Sequence, residues 1–243
     1  MGVAVAPQYR WHAAKLHARR LTTGTPHPSD DRWATEVNRR VANPTGGNEV
    51  SGTIEFHAGN MIMNRVTGER IVFRETSREN GGARVVFDTY VQPGGFAAAA
   101  HVHPNQEERF QIISGQLDVD LGDKKVRLGP GEAVTIPSGT GHRFGNVGDH
   151  DVHFRAEIRP ALQFERLLAT MFALAQDGKT NQKGLPNPLR LAVIAQAHFD
   201  TVQLPYPPVL IQRLGLSFAA PLGRLLGWGP TYIPDNRTYE TAA

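Results

Sequence analysis

The sequence predicts a mainly β protein with an N-terminal arm and C-terminal α-helices. From about residue 59 to residue 160, short runs rich in β-branched and aromatic residues recur between glycines, as in RIVFRE, ARVVFDTYV and QLDVDLG. This pattern is typical of many short strands in a sandwich or small barrel. The apolar residues follow no sustained period before this region, and after Pro160 they follow the 3.6-residue period of a helix. We therefore divide the chain into an arm (1–58), a β domain (59–160) and a helical extension (161–243).

The arm contains turn-forming stretches such as TGTPHPSDD and NPTGGNEVSG, so we expect it to be partly disordered. A short helix is expected near residues 31–41. Four scattered histidines are interpreted here as solvated side chains, namely His12, His17, His27 and His57.

Within the β domain, apolar and polar residues alternate, as at Leu117, Val119 and Leu121. A second alternating set comprises Val152, Phe154, Ala156 and Ile158. Alternation places successive side chains on opposite faces of a strand. We expect these residues to face the core.

The extension begins with a helical stripe from Phe164 to Ala175, which ends near Gly178. A second helix is expected to start at Asn187 and Pro188, a suitable N-cap and first-turn pair, with His198 partly buried near its end. The apolar segment 209–228 contains Arg213, Arg224, Pro221 and three glycines. These residues favour two short amphipathic helices over a membrane span. We expect the helices to pack on the barrel or to form a homodimer interface, since their apolar stripes must be buried.

Composition excludes several classes of protein. The chain has 243 residues, 40% hydrophobic and 20% charged, with a net charge of only +3, so we expect no nucleic-acid binding and no more than minor membrane contact. It contains no cysteine, which leaves His, Asp and Glu as metal ligands. The start lacks the longer apolar segment of a secretory signal, and a cytoplasmic location is expected.

The stretch HVHPNQEERFQIISG, residues 101–115, is the first candidate site. Residues two apart on a strand share a face, so His101 and His103 can reach one ion. Glu108 shares its parity with Phe110, on the expected interior side, and is favoured over Glu107, which remains the alternative.

A second block, GEAVTIPSGTGHRFGN, spans residues 131–146. Gly131 and Gly139 suit tight turns, and Pro137 suits the end of a strand. His142 then begins a strand that can aim it at the same ion.

The two blocks resemble the two motifs of the cupin superfamily. The first motif, G(X)5HXH(X)3,4E(X)6G, is filled by Gly95, His101, His103, Glu108 and Gly115. The second, G(X)5PXG(X)2H(X)3N, is filled by Gly131, Pro137, Gly139, His142 and Asn146. The resemblance implies a jelly-roll β-barrel with His101, His103, Glu108 and His142 as ligands of one divalent transition-metal ion.

Three histidines and one carboxylate suit Fe2+, the favoured ion, and also Mn2+, Ni2+, Zn2+ or Cu2+. The leading hypothesis is an oxygenase or dioxygenase similar to quercetin-dioxygenase-type cupins, in which Glu108 can also serve as a catalytic base. The alternatives are a non-redox cyclase or isomerase and a non-enzymatic cupin that binds a small ligand. The expected substrate is a small aromatic or polyketide-like molecule. Its pocket is expected to be lined by Tyr90, Phe96, Phe110, Ile112 and Phe144.

Overall fold

The computed structural model describes residues 56–97, 99–233 and 240–241. Residues 1–55 of the arm, its expected helix at 31–41, and His12, His17 and His27 lie outside these residues. His57 is described and is exposed, as expected. The strands are β1 (Asn60–Asn64), β2 (Glu69–Glu75), β3 (Val85–Val91), β4 (His101–Val102), β5 (Glu107–Ser114), β6 (Leu117–Leu121), β7 (Lys124–Leu128), β8 (Ala133–Ile136), β9 (Gly141–Gly145), β10 (Val152–Arg159) and β11 (Glu240–Thr241). The helices are α1 (Phe164–Gln176), α2 (Pro188–Ala197) and α3 (Val209–Leu225), with a 3₁₀ helix at Ser77–Asn80.

The strands form two antiparallel sheets. The larger has the order β11-β1-β2-β3-β10-β5-β8, and the smaller has the order β4-β9-β6-β7. One hydrophobic core joins both, since Phe110 and Phe154 of the larger sheet belong to the same buried cluster as Leu117 and Val119 of the smaller. This arrangement confirms the predicted mainly β fold with C-terminal helices.

The predicted alternation sets the inner faces of the sheets. Leu117, Val119 and Leu121 of β6 are buried, and the residues between them are partly exposed. The second alternating set, from Val152 to Ile158 in β10, is likewise buried. Strand periodicity therefore identified which side of β6 and of β10 meets the core.

Two motif glycines have a direct steric role. Gly115, between β5 and β6, has φ +77, and a Cβ there would lie 2.7 Å from the carbonyl oxygen of Asp151. Gly139 also has φ +77, in the turn that precedes β9. Only glycine adopts such a conformation at little cost, so these two positions set the direction in which β6 and β9 begin.

The first two helices agree with the sequence pattern. The side chains of Phe164 and Phe172 in α1 join the main core, which confirms that this part of the extension packs on the sheets. The Asn187 side chain accepts a hydrogen bond from the Leu189 amide, and Pro188 occupies the first turn of α2. His198 caps this helix and is 1% exposed, so it is more deeply buried than expected.

The prediction of two short helices within 209–228 is wrong, because α3 runs unbroken from Val209 to Leu225 with Pro221 inside it. Gly223 serves close packing rather than termination, since a Cβ there would lie 2.5 Å from the Leu189 carbonyl oxygen of α2. Among the described helices, none has both the length and the apolarity needed to cross a bilayer. The outer face of α3 carries exposed apolar side chains, such as Leu214 and Phe218, and the homodimer stays a prediction.

Candidate metal centre

Four polar side chains from both sheets meet inside the fold. His101 lies on β4 and His142 on β9, and the two residues are direct partners in the antiparallel register of these strands. His103 follows β4, and Glu108 approaches from β5 in the larger sheet. Each residue offers one ligand atom, and these four atoms all lie within 4.8 Å of one another. The structure therefore brings together the four ligands implied by the motifs.

The carboxylate lies close to two of the imidazoles. The Oε2 atom of Glu108 is 2.7 Å from Nε2 of His142 and 3.7 Å from Nε2 of His103. The ring of His101 has its centroid 4.3 Å from that of His142 and 4.9 Å from that of His103. These separations fit donors arranged around a single ion.

Each histidine has its Nδ1 atom against a backbone carbonyl. The partners are the oxygens of Ala99 for His101 at 2.9 Å, Thr201 for His103 at 2.8 Å and Thr140 for His142 at 3.0 Å. A carbonyl oxygen only accepts hydrogen bonds, so Nδ1 is assigned the proton in every ring. Nε2 then carries the free lone pair that a metal ligand needs.

The atoms that point into the cluster lack hydrogen-bond partners. Nε2 of His103, Nε2 of His142 and Oε2 of Glu108 are buried, and none makes a hydrogen bond. Nε2 of His142 and Oε2 of Glu108 lie 2.7 Å apart, but with the His142 proton on Nδ1 the Nε2 atom has no hydrogen to donate to the carboxylate. Buried polar atoms are normally satisfied because an unmet donor or acceptor costs about 1–3 kcal/mol. A divalent cation would satisfy all three at once, and so the residues present fit a metal ion.

Burial also sets the protonation of the ligands. It disfavours the imidazolium form and lowers the pKa of His103 to about 3 and the pKa of both His101 and His142 to about 4. Burial raises the pKa of Glu108 above its usual range. At neutral pH the histidines are therefore neutral, which is the form that binds metal.

The choice between the two neighbouring glutamates follows from their strand faces. Glu108 is 4% exposed and belongs to the cluster. Glu107 is exposed on the other face of β5. Parity had favoured Glu108, and the geometry agrees.

Of the expected pocket residues, Phe110, Ile112 and Phe144 share strand faces with the cluster. Phe110 and Ile112 are buried in β5 at the parity of Glu108, and Phe144 follows His142 by two residues in β9. Phe110 and Phe144 have their rings 5.7 Å apart, and each also contacts Phe154 of β10. Phe154 was not among the expected pocket residues, although the alternation of β10 had assigned it an inward position.

The other two expected residues lie elsewhere. Phe96 pairs through its backbone with Gly145 at the end of β9 and is partly buried. Tyr90 does not join the cluster, because β3 turns Phe87 and Val91 toward the core and Tyr90 toward the opposite face. Its ring stacks on His153 and lines a surface pocket of about 140 Å³. The placement of Tyr90 in the substrate pocket is corrected accordingly.

Part of the β domain matches a known protein family. Residues 87–157 match the family model described as the Cupin domain. The chain is 35% identical over 60 residues to the polyketide synthase CurC of Streptomyces cyaneus, which covers 25% of this chain and 39% of CurC. It is 48% identical over 44 residues to an oxidoreductase of Arthrobotrys oligospora, which covers 18% of this chain and 17% of that protein. The alignments thus span well under two thirds of either relative.

Among solved structures, KdgF from Halomonas sp. is similar with a TM-score of 0.38 and 17% sequence identity. The alignment covers 43% of this chain and 91% of KdgF.

Proposed function

Since the chain contains a cupin domain, we propose that it is a metal-dependent enzyme with one divalent transition-metal ion at His101, His103, Glu108 and His142. The observation that carries this proposal is the set of buried, unpartnered ligand atoms on His103, Glu108 and His142. The Nδ1 atoms of the two histidines are already satisfied by carbonyl groups. The lone pairs without a partner therefore all point to the centre of the cluster. When bound, the ion supplies a Lewis acid for a substrate oxygen and, if it is iron, a redox centre.

Glu108 is the proposed catalytic base. Burial raises the pKa of this carboxyl, which strengthens it as a proton acceptor near neutral pH. The position of Oε2 between His103 and His142 keeps the carboxylate within reach of a substrate held at the same centre.

Substrate would approach the metal centre from the side of His101. It is partly exposed, whereas His103, Glu108 and His142 are buried. The side of the centre next to His101 is therefore the more accessible to solvent.

The proposed substrate is a small aromatic or polyketide-like molecule. Phe110, Phe144 and Phe154 supply an aromatic wall on the interior faces of three strands. Among the residues that the structure describes, no lysine or arginine is buried, so the interior offers no cation for a phosphate group. The likeness to CurC, a polyketide synthase by its name, supports the same class of substrate.

We propose oxygenase chemistry first, with Fe2+ as the favoured ion. The match to a relative named as an oxidoreductase supports it. A non-redox cyclase or isomerase is the second candidate, and the match to a polyketide synthase supports that one. In both reactions Glu108 would remove a proton from a hydroxyl or an acidic carbon of the substrate.

The metal assignment is tested by the metal content of the purified protein and of a His101→Ala/His142→Ala double variant. We expect about one ion per chain in the wild type and a loss of more than nine tenths of it in the variant. Glu107→Ala, on the exposed face of the same strand, is the matched control and should keep the ion. Wild-type metal content in the double variant would overturn the site.

The reaction is tested by oxygen uptake with a panel of flavonols and aromatic polyketides. We expect oxygen consumption that matches substrate loss and that disappears in the double variant. Turnover of the same substrates without oxygen would support the cyclase or isomerase. Tight binding without turnover under either condition would leave the non-enzymatic alternative.

A further inference from the structure

The smaller sheet ends at β4, and a segment of the C-terminal extension covers that edge. We call residues Asp200–Gln203 the docking segment. The Val102 amide donates to the Gln203 carbonyl at 2.8 Å, and the Gln203 amide donates to the Val102 carbonyl at 2.9 Å. The Asn105 side chain donates to the Asp200 carbonyl at 3.0 Å. The docking segment is therefore paired to β4, the strand that carries His101 and leads into His103.

The same segment supplies the hydrogen-bond acceptor of one ligand. The carbonyl oxygen of Thr201 lies 2.8 Å from Nδ1 of His103. Thr201 is 2% exposed, so water does not compete for this carbonyl. The amides of Thr201 and Val202 both donate to the His198 carbonyl at 2.9 Å, which ties the carbonyl to the end of α2.

His103 differs in this respect from the other two histidines. His101 and His142 use the carbonyls of Ala99 and Thr140, each two residues earlier in the chain. The partner of His103 is 98 residues away. Two ligands are therefore oriented by the backbone just before their own strands, and the third is oriented by the helical extension.

Further contacts join the extension to the same part of the site. The ring of Phe164, at the start of α1, has its centroid 5.5 Å from that of His103. The Gln106 side chain, in the turn after β4, donates to the carbonyls of Pro160 and Ala161 at 2.8 and 3.0 Å. The turn between His103 and Glu108 is thus held by the β10–α1 junction on one side and by the docking segment on the other.

We infer that the docking segment is a positioning element of the metal centre and that Thr201 holds His103 in its metal-binding tautomer and orientation. This inference rests on the proposed metal centre and extends it. A hydrogen bond to the second nitrogen of a ligating histidine sets its tautomer, and its loss typically costs 10–100-fold in metal affinity. The affinity of the centre for metal therefore depends on the pairing of the docking segment with β4.

Gln203→Pro in the full chain tests this coupling. Proline removes the amide that donates to Val102 and leaves all four ligands in place. Gln203→Ala is the matched control, since it keeps the backbone pairing to Val102 and loses only the side chain, whose Nε2 donates to the Phe199 carbonyl within the extension. With Co2+ or Zn2+ in competition with a chromophoric chelator, we expect the dissociation constant of Gln203→Pro to rise about 10–100-fold. That of Gln203→Ala should stay within about threefold. A folded Gln203→Pro variant with wild-type affinity would overturn the inference.

Two measurements on the wild type apply if Gln203→Pro fails to fold. In the metal-free protein, ¹⁵N chemical shifts of the His103 ring should show the proton on Nδ1, and an Nε2 proton would contradict the role of Thr201. Coupling is reciprocal, so metal loading should slow amide exchange in the docking segment more than in α3. Equal effects on the two would also count against the inference. Absence of metal binding in the wild type would instead refute the metal centre itself.

Discussion

Two buried carboxylates of this protein have opposite surroundings. Asp88, on β3, is 1% exposed, and its oxygens lie 2.7 Å from Nε of Arg74 and 2.8 Å from Nε of Arg155. Burial alone would raise the pKa of Asp88, but His153 and the two arginines bring it below its usual value. Glu108 is 4% exposed and lies against the neutral imidazoles of His103 and His142, and burial raises its pKa.

The difference separates a structural carboxylate from a functional one. Asp88 has its charge compensated by partners within the protein, so its carboxylate needs no bound ion. Glu108 and its histidines leave three buried ligand atoms unpartnered, and a bound cation would offset that cost. Burial by itself is thus a poor indicator of function, and the decisive property is whether the buried group is compensated.

The largest expected effect comes from Glu108→Gln. Loss of the only carboxylate in the cluster should weaken metal binding more than 100-fold, or about 3 kcal/mol and above. In the metal-free protein the same change should raise the melting temperature, because it removes a buried carboxyl group whose ionised form is disfavoured by burial. Chelator competition and calorimetry measure the two effects. The comparison fails if Glu108→Gln keeps wild-type affinity or if Glu107→Ala loses as much.

The second prediction concerns the pH dependence of stability in the metal-free protein. The unfolded chain binds protons at its histidines below about pH 6.5, whereas His101, His103 and His142 in the folded chain do so only near pH 3–4. The free energy of unfolding should therefore fall by on the order of 3 kcal/mol for each of the three histidines as the pH drops from 6.5 to 4. The raised pKa of Glu108 acts in the opposite direction and offsets part of this loss.

Asp88 has a separate pH window. Its lowered pKa stabilises the fold above about pH 4, and this contribution is lost below that value. Urea unfolding at several pH values distinguishes the two windows. The His101→Ala/His142→Ala variant should flatten the decline between pH 6.5 and 4. If the free energy of unfolding of that variant depended on pH as in the wild type, the decline could not be attributed to the buried histidines.

The smallest effect is expected from Asp88→Asn. Loss of the charged hydrogen bonds to Arg74 and Arg155 should lower the free energy of unfolding by about 2 kcal/mol. Both arginines are nearly half exposed and can be solvated, which limits the cost. Metal affinity should stay within about twofold of the wild type. A large loss of metal affinity would show that the two carboxylates are coupled and would weaken the comparison.

Much of the site could be predicted from residue spacing. His101 and His103 share a face because strand side chains repeat every second residue, and the same rule selected Glu108 over Glu107. Gly115 and Gly139 occupy left-handed turns that few other residues adopt. These inferences depend on local geometry, which a short stretch of sequence determines.

The two errors have different origins. On β3, Tyr90 has the parity of Asp88, whereas Phe87 and Val91 face the core. Strand alternation therefore places Tyr90 on the outer face, and the expectation overlooked this rule. In 209–228, α3 continues through Pro221 and packs closely on α2 at Gly223, a contact with a separate element that the local residue types did not indicate.

The sequence by itself determined that four ligand-type side chains would converge from two β segments, since motif spacing and strand parity specify which way each one points. Only the tertiary structure decided that Nδ1 of His103 would be held by the Thr201 carbonyl. No spacing rule connects residues 98 positions apart, because their contact depends on where an entire helical extension comes to rest on the sheet.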